Sequence, residues 1–171
     1  MEVKMDIRGI AQALNRAKHE PFHPSYHAFA LETLSQYDEM ARHIKVTWGS
    51  GTTTGTSAEL FHDAERGEMF IACDGSPLEK GHPLAIETPY GVSLNCLFRA
   101  VHDYYGHFAT YSPFETFEGE MEAYHNHRKM YSKAAQAALF GETVAQLSHY
   151  YTYGNFVETQ KCAILPKELY V

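Results

Sequence analysis

Two histidines five positions apart, His102 and His107, limit how the stretch FRAVHDYYGHFATY at 98–111 can fold. Residues on one face of a regular α-helix lie three or four positions apart. At about 100° per residue, five positions turn the second side chain about 140° away from the first. A π-helical turn would bring the pair to the same side, and Gly106 lets the backbone leave helical angles just before His107. The spacing therefore predicts either two imidazoles on different faces or a distorted helix on which they converge.

The sequence around this pair is mainly helical in pattern, and the N-terminal half is mixed. Apolar residues recur at helical spacing from Ser93 onward, at about 93–105, 114–131, 132–140, 142–153 and 155–164. Before Ser93 the order is a helix at 6–18, a helix after the predicted N-cap Ser25, a strand at 44–48 and a strand at 68–73. Between the strands, 49–57 predicts a flexible loop, and 58–67 fits a short helix or half of a hairpin.

These patterns predict a fold class and a domain organisation. A chain of 171 residues has the length of one ordinary domain. We predict a predominantly helical α+β fold in a single domain of residues 1–171. A mixed region of about 1–92 contributes a small β element, and a helical bundle of about 93–171 carries the site.

Charge and hydropathy narrow the range of partners. The net charge is −7 and no run of Lys or Arg occurs, which makes nucleic acid an unlikely partner. No stretch is long and apolar enough to span a bilayer, and the first 20 residues lack the apolar core of a signal peptide. The three cysteines form no CxxC pair, so free thiols in a reducing cytoplasm are expected.

The apolar helix that leads into His102 favours a metal site. An unpaired imidazole on a buried helix carries a desolvation cost, which a metal ion or a carboxylate would offset. The next residue, Asp103, either accepts a hydrogen bond from a ligand histidine or pairs with Arg99 one turn earlier.

Two later segments supply the carboxylate that such a site needs. In FEGEMEAYHNHRKMY, Glu120 and His127 share one helical stripe, and Glu122 and His125 have the ExxH spacing of di-iron bundles, although no second ExxH follows. That segment also fits a charged, solvated face. In LFGETVAQLSHYY, Glu142 opens a helix and Gln146 shares its face. An acidic residue in a first helical turn is favoured by the helix dipole alone.

The segment VHDYYGH resembles the HExxGH segment of the aromatic amino-acid hydroxylases. In that family both histidines and a later glutamate bind a non-haem iron(II), forming a 2-His-1-carboxylate triad. The resemblance implies that His102, His107 and Glu142 are the metal ligands. From the residues themselves, Glu120 stays open as the alternative carboxylate. This sequence departs from the family by having Asp103 in place of the glutamate of that segment.

A longer stretch of about 130 residues resembles an uncharacterised group of bacteriophage and mobile-element proteins. The matching pieces include LFRAVHDYYGH, GEMEAYHNH, GETVAQ and GNFVETQKCAILP. Their matching positions are His102, Asp103, His107, Glu120, His127, Glu142, Gln146 and Lys161. The resemblance implies a functional site without naming a reaction, and it implies a bacterial host cell as the location.

We predict a metal-dependent enzyme, with Fe(II) favoured over Zn(II) as the cofactor. Two histidines and one carboxylate leave open positions for O₂ and a substrate, as in iron(II) oxygenases. The expected substrate is a small aromatic or nucleobase-like molecule. The predicted catalytic residues beside the ligands are Asp103, Glu120, His127 and Gln146.

Three other functions remain open from the sequence. The same ligands could hold zinc with a bound water and form a hydrolase. An HD-type phosphohydrolase is suggested by the HD pairs at His62 and His102, but no aspartate follows Asp103 in the chain. A non-enzymatic phage accessory or inhibitor protein would bind a host protein through its acidic surface, with the histidines forming a buried polar network.

Overall fold

The computed structural model describes residues 5–51 and 55–170 of the chain. These residues form a predominantly helical α+β fold with one small parallel sheet of two strands, which confirms the predicted fold class. Within the predicted loop at 49–57, residues 52–54 lie outside the described residues.

Two helices open the fold. Helix α1, Ile7–Arg16, begins after Asp6, whose carboxylate accepts a hydrogen bond from the Gly9 amide at 2.9 Å. Helix α2, Pro24–Met40, begins two residues earlier than predicted. Its N-cap is His23 and not Ser25, because the His23 Nδ1 atom accepts a hydrogen bond from the backbone amide of Ser25 at 3.1 Å.

The sheet consists of two strands joined by a helix. Strand β1, Lys45–Gly49, pairs in parallel with strand β2, Glu68–Ala72. The connecting segment forms helix α3, Ser57–Glu65, which decides between the helix and the hairpin left open by the sequence. Thr56 and Glu59 form a capping box that fixes the start of α3.

The helix that carries the histidine pair changes its winding along its length. Helix α4, Leu94–Val101, is capped by Ser93 and runs without a break into a π-helical turn at His102–His107. A short 3₁₀ turn, Phe108–Thr110, ends this helix. Helix α5, Phe117–Arg128, follows and packs against the π-helical turn.

The next helix also contains a π-helical turn. Helix α6, Gln136–Phe140, continues through a π-helical turn at Gly141–Ala145 into helix α7, Gln146–Tyr153. The two helices predicted at 132–140 and 142–153 are therefore one continuous helix. At its centre, a Cβ atom on Gly141 would lie 2.6 Å from the Ala163 carbonyl oxygen, so a glycine lets the C-terminal segment approach.

The helix predicted at 155–164 is wrong, because α7 ends at Tyr153, Gly154 is its C-cap, and the following chain is irregular. Gln160 explains why. Its backbone amide donates to the Pro77 carbonyl and its backbone carbonyl accepts from the Glu79 amide, both at 2.8 Å. These bonds hold the segment beside the loop at 77–79 and leave its backbone groups unavailable for a helix. A 3₁₀ turn, Lys167–Leu169, ends the described chain.

The hydrophobic core draws on every part of the chain. Phe29 of α2, Ile71 of β2, Leu97 of α4, Phe140 of α6 and Cys162 are all buried in one cluster. The mixed region before residue 93 and the helical region after it therefore share one hydrophobic core. Among the helices that the structure describes, none combines the length and the hydropathy that crossing a bilayer requires.

Lys161 ties the C-terminal segment to the end of α1, and its loss is expected to destabilise the fold. Its ammonium group donates hydrogen bonds to the carbonyl oxygens of Leu14, Asn15 and Ala17, at 3.1, 3.3 and 2.6 Å. A cation at a helix C-terminus is also favoured by the helix dipole. We expect Lys161→Met to lower the free energy of unfolding by about 1–3 kcal/mol, measured by urea denaturation. The matched change at an exposed lysine, Lys167→Met, is expected to have little effect, and equal stabilities of the two variants would contradict this role.

Candidate metal centre

The π-helical turn brings His102 and His107 to the same side of their helix. Their ring centroids lie 5.1 Å apart, with the rings nearly perpendicular at 87°. This geometry confirms the distortion that the five-residue spacing requires for convergence. Gly106 contributes through close packing, because a Cβ atom there would lie 3.1 Å from the Ala123 carbonyl oxygen of α5 and 3.3 Å from the His102 ring.

Hydrogen bonding fixes which nitrogen of His107 is free. The Nδ1 atom lies 2.7 Å from the Ser112 carbonyl oxygen. A carbonyl can only accept, so Nδ1 carries a hydrogen and donates it. The Nε2 atom instead faces Glu120, whose Oε2 atom lies 3.3 Å away. In the metal-free protein burial lowers the pKa of His107, but the hydrogen bond and the charge of Glu120 outweigh it and raise that pKa above its usual value.

A longer chain of hydrogen bonds fixes His102. Gln36 donates its amide to the Met130 carbonyl oxygen at 3.4 Å, so its Oε1 atom accepts from His127 Nε2 at 2.7 Å. His127 Nδ1 then carries no hydrogen and accepts from His102 Nδ1 at 3.0 Å. The remaining nitrogen of His102, Nε2, is left with a lone pair. Such partners of the second ring nitrogen are what orient metal-binding histidines in proteins.

Burial keeps His102 and His127 neutral. Desolvation lowers the pKa of His127 to about 3, with the nearby His107 adding to the effect. Desolvation also lowers the pKa of His102 well below its usual value, followed by the influence of His107 and His127. Neutral imidazole is the form that binds a metal ion.

Glu120 completes a group that could hold a divalent metal ion. Its carboxylate and one nitrogen each from His102 and His107 all lie within 4.8 Å of one another. A metal ion about 2.0–2.2 Å from each donor would hold the donors roughly 3–4 Å apart. The group is therefore close to the geometry that a shared ion requires, and it contains two imidazoles and one carboxylate.

Glu142 takes a different position from the one that the sequence favours. Its Oε1 atom accepts hydrogen bonds from the Tyr26 hydroxyl at 2.7 Å and from His82 Nε2 at 3.2 Å. Its Oε2 atom accepts from Gln146 at 3.3 Å. With these donors in place Glu142 is a buried hydrogen-bond acceptor, and Glu120 is the carboxylate grouped with the histidines. The assignment of Glu142 as a ligand therefore stays a prediction that this geometry does not favour.

The partners of Glu142 are themselves fixed. His82 Nδ1 accepts from the Leu84 amide at 3.1 Å, so its Nε2 atom carries the hydrogen that reaches Glu142. Burial and the charge of Glu142 together raise the pKa of Tyr26 well above its usual value, which keeps its hydroxyl a donor.

One cavity joins the two polar clusters. It has a volume of about 430 Å³, which is in the range of small-molecule sites. Both carboxylates, Glu120 and Glu142, reach it, and its wall also includes Phe98, Arg99, His102, Asp103, Gln146, Leu147 and Phe156. A metal ion at the histidines would therefore lie beside a space that a small molecule can enter.

Asp103 faces this cavity without forming the predicted ion pair. Arg99 donates instead to the Ala72 carbonyl oxygen at 2.6 Å, and within the described residues it makes no ion pair with Asp103. Burial raises the pKa of Asp103 to about 6, and Glu120 acts in the same direction, whereas His107 and Arg99 oppose the shift.

The other sequence-predicted residues divide between the site and the surface. His127 and Gln146 belong to the hydrogen-bond networks just described. Glu122 and His125, which have the ExxH spacing, are exposed and lie outside the group. His62 is also largely exposed and lies on α3, with Asp63 beside it.

Three site residues had no sequence signal. Gln36 lies 91 positions from His127, His82 lies 60 positions from Glu142, and Tyr26 lies 116 positions from Glu142. Nothing local in the sequence marks these contacts, because only tertiary packing creates them.

Comparison with known proteins finds no matching family model, no matching curated protein and no matching solved structure. The chemistry of the site is therefore argued from its own residues.

Acid is expected to destabilise the metal-free protein through His127. An unfolded histidine takes up a proton near pH 6.5, whereas folded His127 resists protonation down to about pH 3. Below pH 6.5 the unfolded state therefore binds the extra proton, and this residue lowers stability by about 1.4 kcal/mol per pH unit. We expect His127→Leu to reduce the loss of stability between pH 6 and pH 5 by about that amount, measured by urea unfolding in EDTA.

His107 acts with the opposite sign, because its raised pKa stabilises the fold below pH 6.5 and that contribution is lost as the pH rises through its folded value. His107 is present in both proteins, so the difference between them reports on His127 together with any change at His102, whose ring is hydrogen-bonded to it. The exposed His27 provides the control, since His27→Leu is expected to keep the wild-type dependence on pH. Identical slopes for wild type and His127→Leu would contradict the buried neutral state.

Proposed function

We propose that this protein is a metal-dependent enzyme in which His102, His107 and Glu120 hold one divalent ion. One observation carries the proposal: both Nδ1 atoms are held in hydrogen bonds, so Nε2 is the nitrogen of each ring that is left for a metal ion, and the Glu120 carboxylate lies beside the two rings. A buried polar network that only stabilised the helices would not need two imidazole nitrogens and a carboxylate grouped as ligands for a metal ion. The cavity beside the group supplies room for a substrate.

Iron(II) is the ion that we propose, in a non-haem oxygenase or hydroxylase acting on a small aromatic or nucleobase-like substrate. Two histidines and one carboxylate are the donor set of the iron(II) facial triad. When bound, iron(II) would activate O₂, with one oxygen atom entering the substrate and the other leaving as water with two electrons from a reductant. The histidine pair is the part of the hydroxylase resemblance that supports this proposal, with Glu120 in place of Glu142.

The residues around the ion have separate roles in this proposal. His127 and Gln36 position the His102 ring through its Nδ1 hydrogen bond. Asp103 presents a carboxyl group that can exchange a proton with a molecule in the cavity, and Gln146 presents an amide that can orient it. Phe98 and Leu147 give part of the wall an apolar character that limits water.

The choice between the two carboxylates can be tested with a matched pair of variants. Removing a direct ligand is expected to weaken metal binding more than the 10–100-fold typical of losing an outer partner. We therefore expect Glu120→Gln to weaken binding of Co²⁺ by at least about 100-fold, measured by absorbance titration of metal-free protein. Glu142→Gln keeps the size of the side chain and is expected to bind Co²⁺ within about tenfold of wild type.

The two results separate the alternatives. Loss of binding in Glu142→Gln with retention in Glu120→Gln would reassign the third ligand. Absence of stoichiometric Co²⁺ binding by the wild type would contradict the proposal that this protein binds a metal ion. It would favour a purely structural role for the histidine network.

The reaction class depends on the metal that the protein retains and uses. We expect tag-free protein to bind iron, and the iron-loaded protein to consume O₂ with ascorbate as reductant. A product 16 mass units heavier is expected from a panel of small aromatic compounds and nucleobases. His102→Ala and His107→Ala should abolish both signals, while His125→Ala, an exposed histidine on α5, should retain them.

A protein that purifies with zinc, consumes no O₂ and hydrolyses an ester or amide with a pH-dependent rate would instead be the zinc hydrolase. Metal content by mass spectrometry and oxygen uptake by electrode decide between the two outcomes.

A further inference from the structure

Arg99 is a cation on the cavity wall, and part of its guanidinium group has no acidic partner. Among the residues that the structure describes, it is the sole Lys or Arg that lines the 430 Å³ cavity, and it also lines the adjoining 380 Å³ cavity beside His107. Its Nη1 atom donates to the Ala72 carbonyl oxygen at 2.6 Å. Across the part of the chain that the structure describes, no carboxylate lies within 4.0 Å of its guanidinium nitrogens. The guanidinium therefore keeps donors that no acidic side chain occupies.

Gly75 holds space for this guanidinium. A Cβ atom on Gly75 would lie 2.7 Å from the Arg99 Nη2 atom, which is closer than side-chain contacts allow. Gly75 is not among the glycines with positive φ, so its backbone does not demand a glycine. A side chain at residue 75 would therefore require the end of the Arg99 side chain to shift, and Gly75 itself lines the cavity.

The remaining wall limits what could pair with Arg99. Within the described part of the chain, three carboxyl groups share the cavity, from Asp103, Glu120 and Glu142. A phosphate dianion would meet one arginine among these acidic groups and would be repelled. A single carboxylate matches the planar fork of one guanidinium and carries one charge.

The apolar part of the wall suggests the body of the same ligand. Phe98 and Leu147 face the cavity, and Phe156 lies at its rim with about half of its surface exposed. Phe156 stacks on Tyr150 at a centroid distance of 4.7 Å, which leaves an aromatic rim at the entrance. A flat, apolar body would pack against these side chains.

We propose that Arg99 binds the carboxylate of a small aromatic monocarboxylic acid, which is thereby the substrate class of the site. Calling this acid a substrate rests on the proposed function, because the acid would lie in the cavity beside the metal group. Binding itself depends on Arg99 and not on the metal. It can therefore be measured in metal-free protein.

The test is a calorimetric titration of the full chain in EDTA with four probes. Benzoate and phenylacetate are the acids, and benzamide and phenylacetamide are their neutral counterparts. We expect the better acid to bind at least about tenfold more tightly than its amide, and Arg99→Gln to remove that difference, because a charge-assisted pair is lost. Arg99→Lys keeps the charge without the fork and is expected to recover part of the affinity.

Two further variants sharpen the result. Gly75→Ala is expected to weaken acid binding by displacing the guanidinium, while the amides bind as before. Arg42→Gln removes a largely exposed arginine and is expected to change nothing. Circular dichroism establishes that each variant folds, and the comparison of acid with amide in the wild type does not depend on any variant.

Several results would overturn the inference. They are acids that bind no better than amides, acid binding that survives in Arg99→Gln, absence of binding by either acid at millimolar concentration, and tighter binding of inorganic phosphate than of both acids. Co²⁺ titration of Arg99→Gln keeps the two proposals apart. Intact metal binding with lost acid binding supports both, whereas an Arg99-dependent acid site in a protein that binds no Co²⁺ would leave this inference standing without the metal enzyme.

Discussion

The site depends on one extra residue in the winding of a helix. In a π-helical turn the backbone closes from i to i+5, which is rare because it widens the helix, and such turns occur frequently at functional sites. Here the widened turn is held from outside. Helix α5 packs so closely against Gly106 that a Cβ atom there would lie 3.1 Å from the Ala123 carbonyl oxygen, and His107 is anchored to the Ser112 carbonyl beyond the end of the helix. With regular winding His102 and His107 would point apart, and Glu120 would have one imidazole beside it instead of two.

Hydrogen bonds determine which ring nitrogens in the site carry a hydrogen and which carry a lone pair. Gln36 can offer only an oxygen to His127, and this constraint passes along the hydrogen bonds until the Nε2 atom of His102 is left with a lone pair. Every buried nitrogen of His127 has a partner, so the network carries no unsatisfied polar atom at that residue. The same logic holds around Glu142, where His82 and Tyr26 are both obliged to donate. The two carboxylates in this cavity thus have different environments. Glu120 lies beside the two histidines, where a metal ion could bind, whereas Glu142 already accepts hydrogen bonds from neutral donors.

Local features of the sequence narrowed the histidine pair to two outcomes, divergent rings or a distorted helix, and the structure shows the distorted helix. They did not identify the third ligand. The five-residue spacing and Gly106 are adjacent in the chain, and their consequence follows from helix geometry. The choice between Glu120 and Glu142 depends on how α5 and the long helix pack, which no periodicity encodes. The helix predicted at 155–164 failed for a similar reason, because the bonds of Gln160 to the loop at 77–79 outweigh local preference. A pair between Arg99 and Asp103 was one of two roles that the sequence left open for Asp103, but Arg99 donates to the strand carbonyl of Ala72 instead.

The second π-helical turn, Gly141–Ala145, also sets the phase of everything that follows it in the same helix. One added residue rotates the downstream segment by about 100° relative to regular winding. Helix α7 therefore presents to α1 a face that is chosen upstream, at the same turn that aims Glu142 at Tyr26 and His82. The position of Glu142 in the cavity and the packing of α7 on α1 therefore depend on the same turn. Deleting one residue from this turn would displace both.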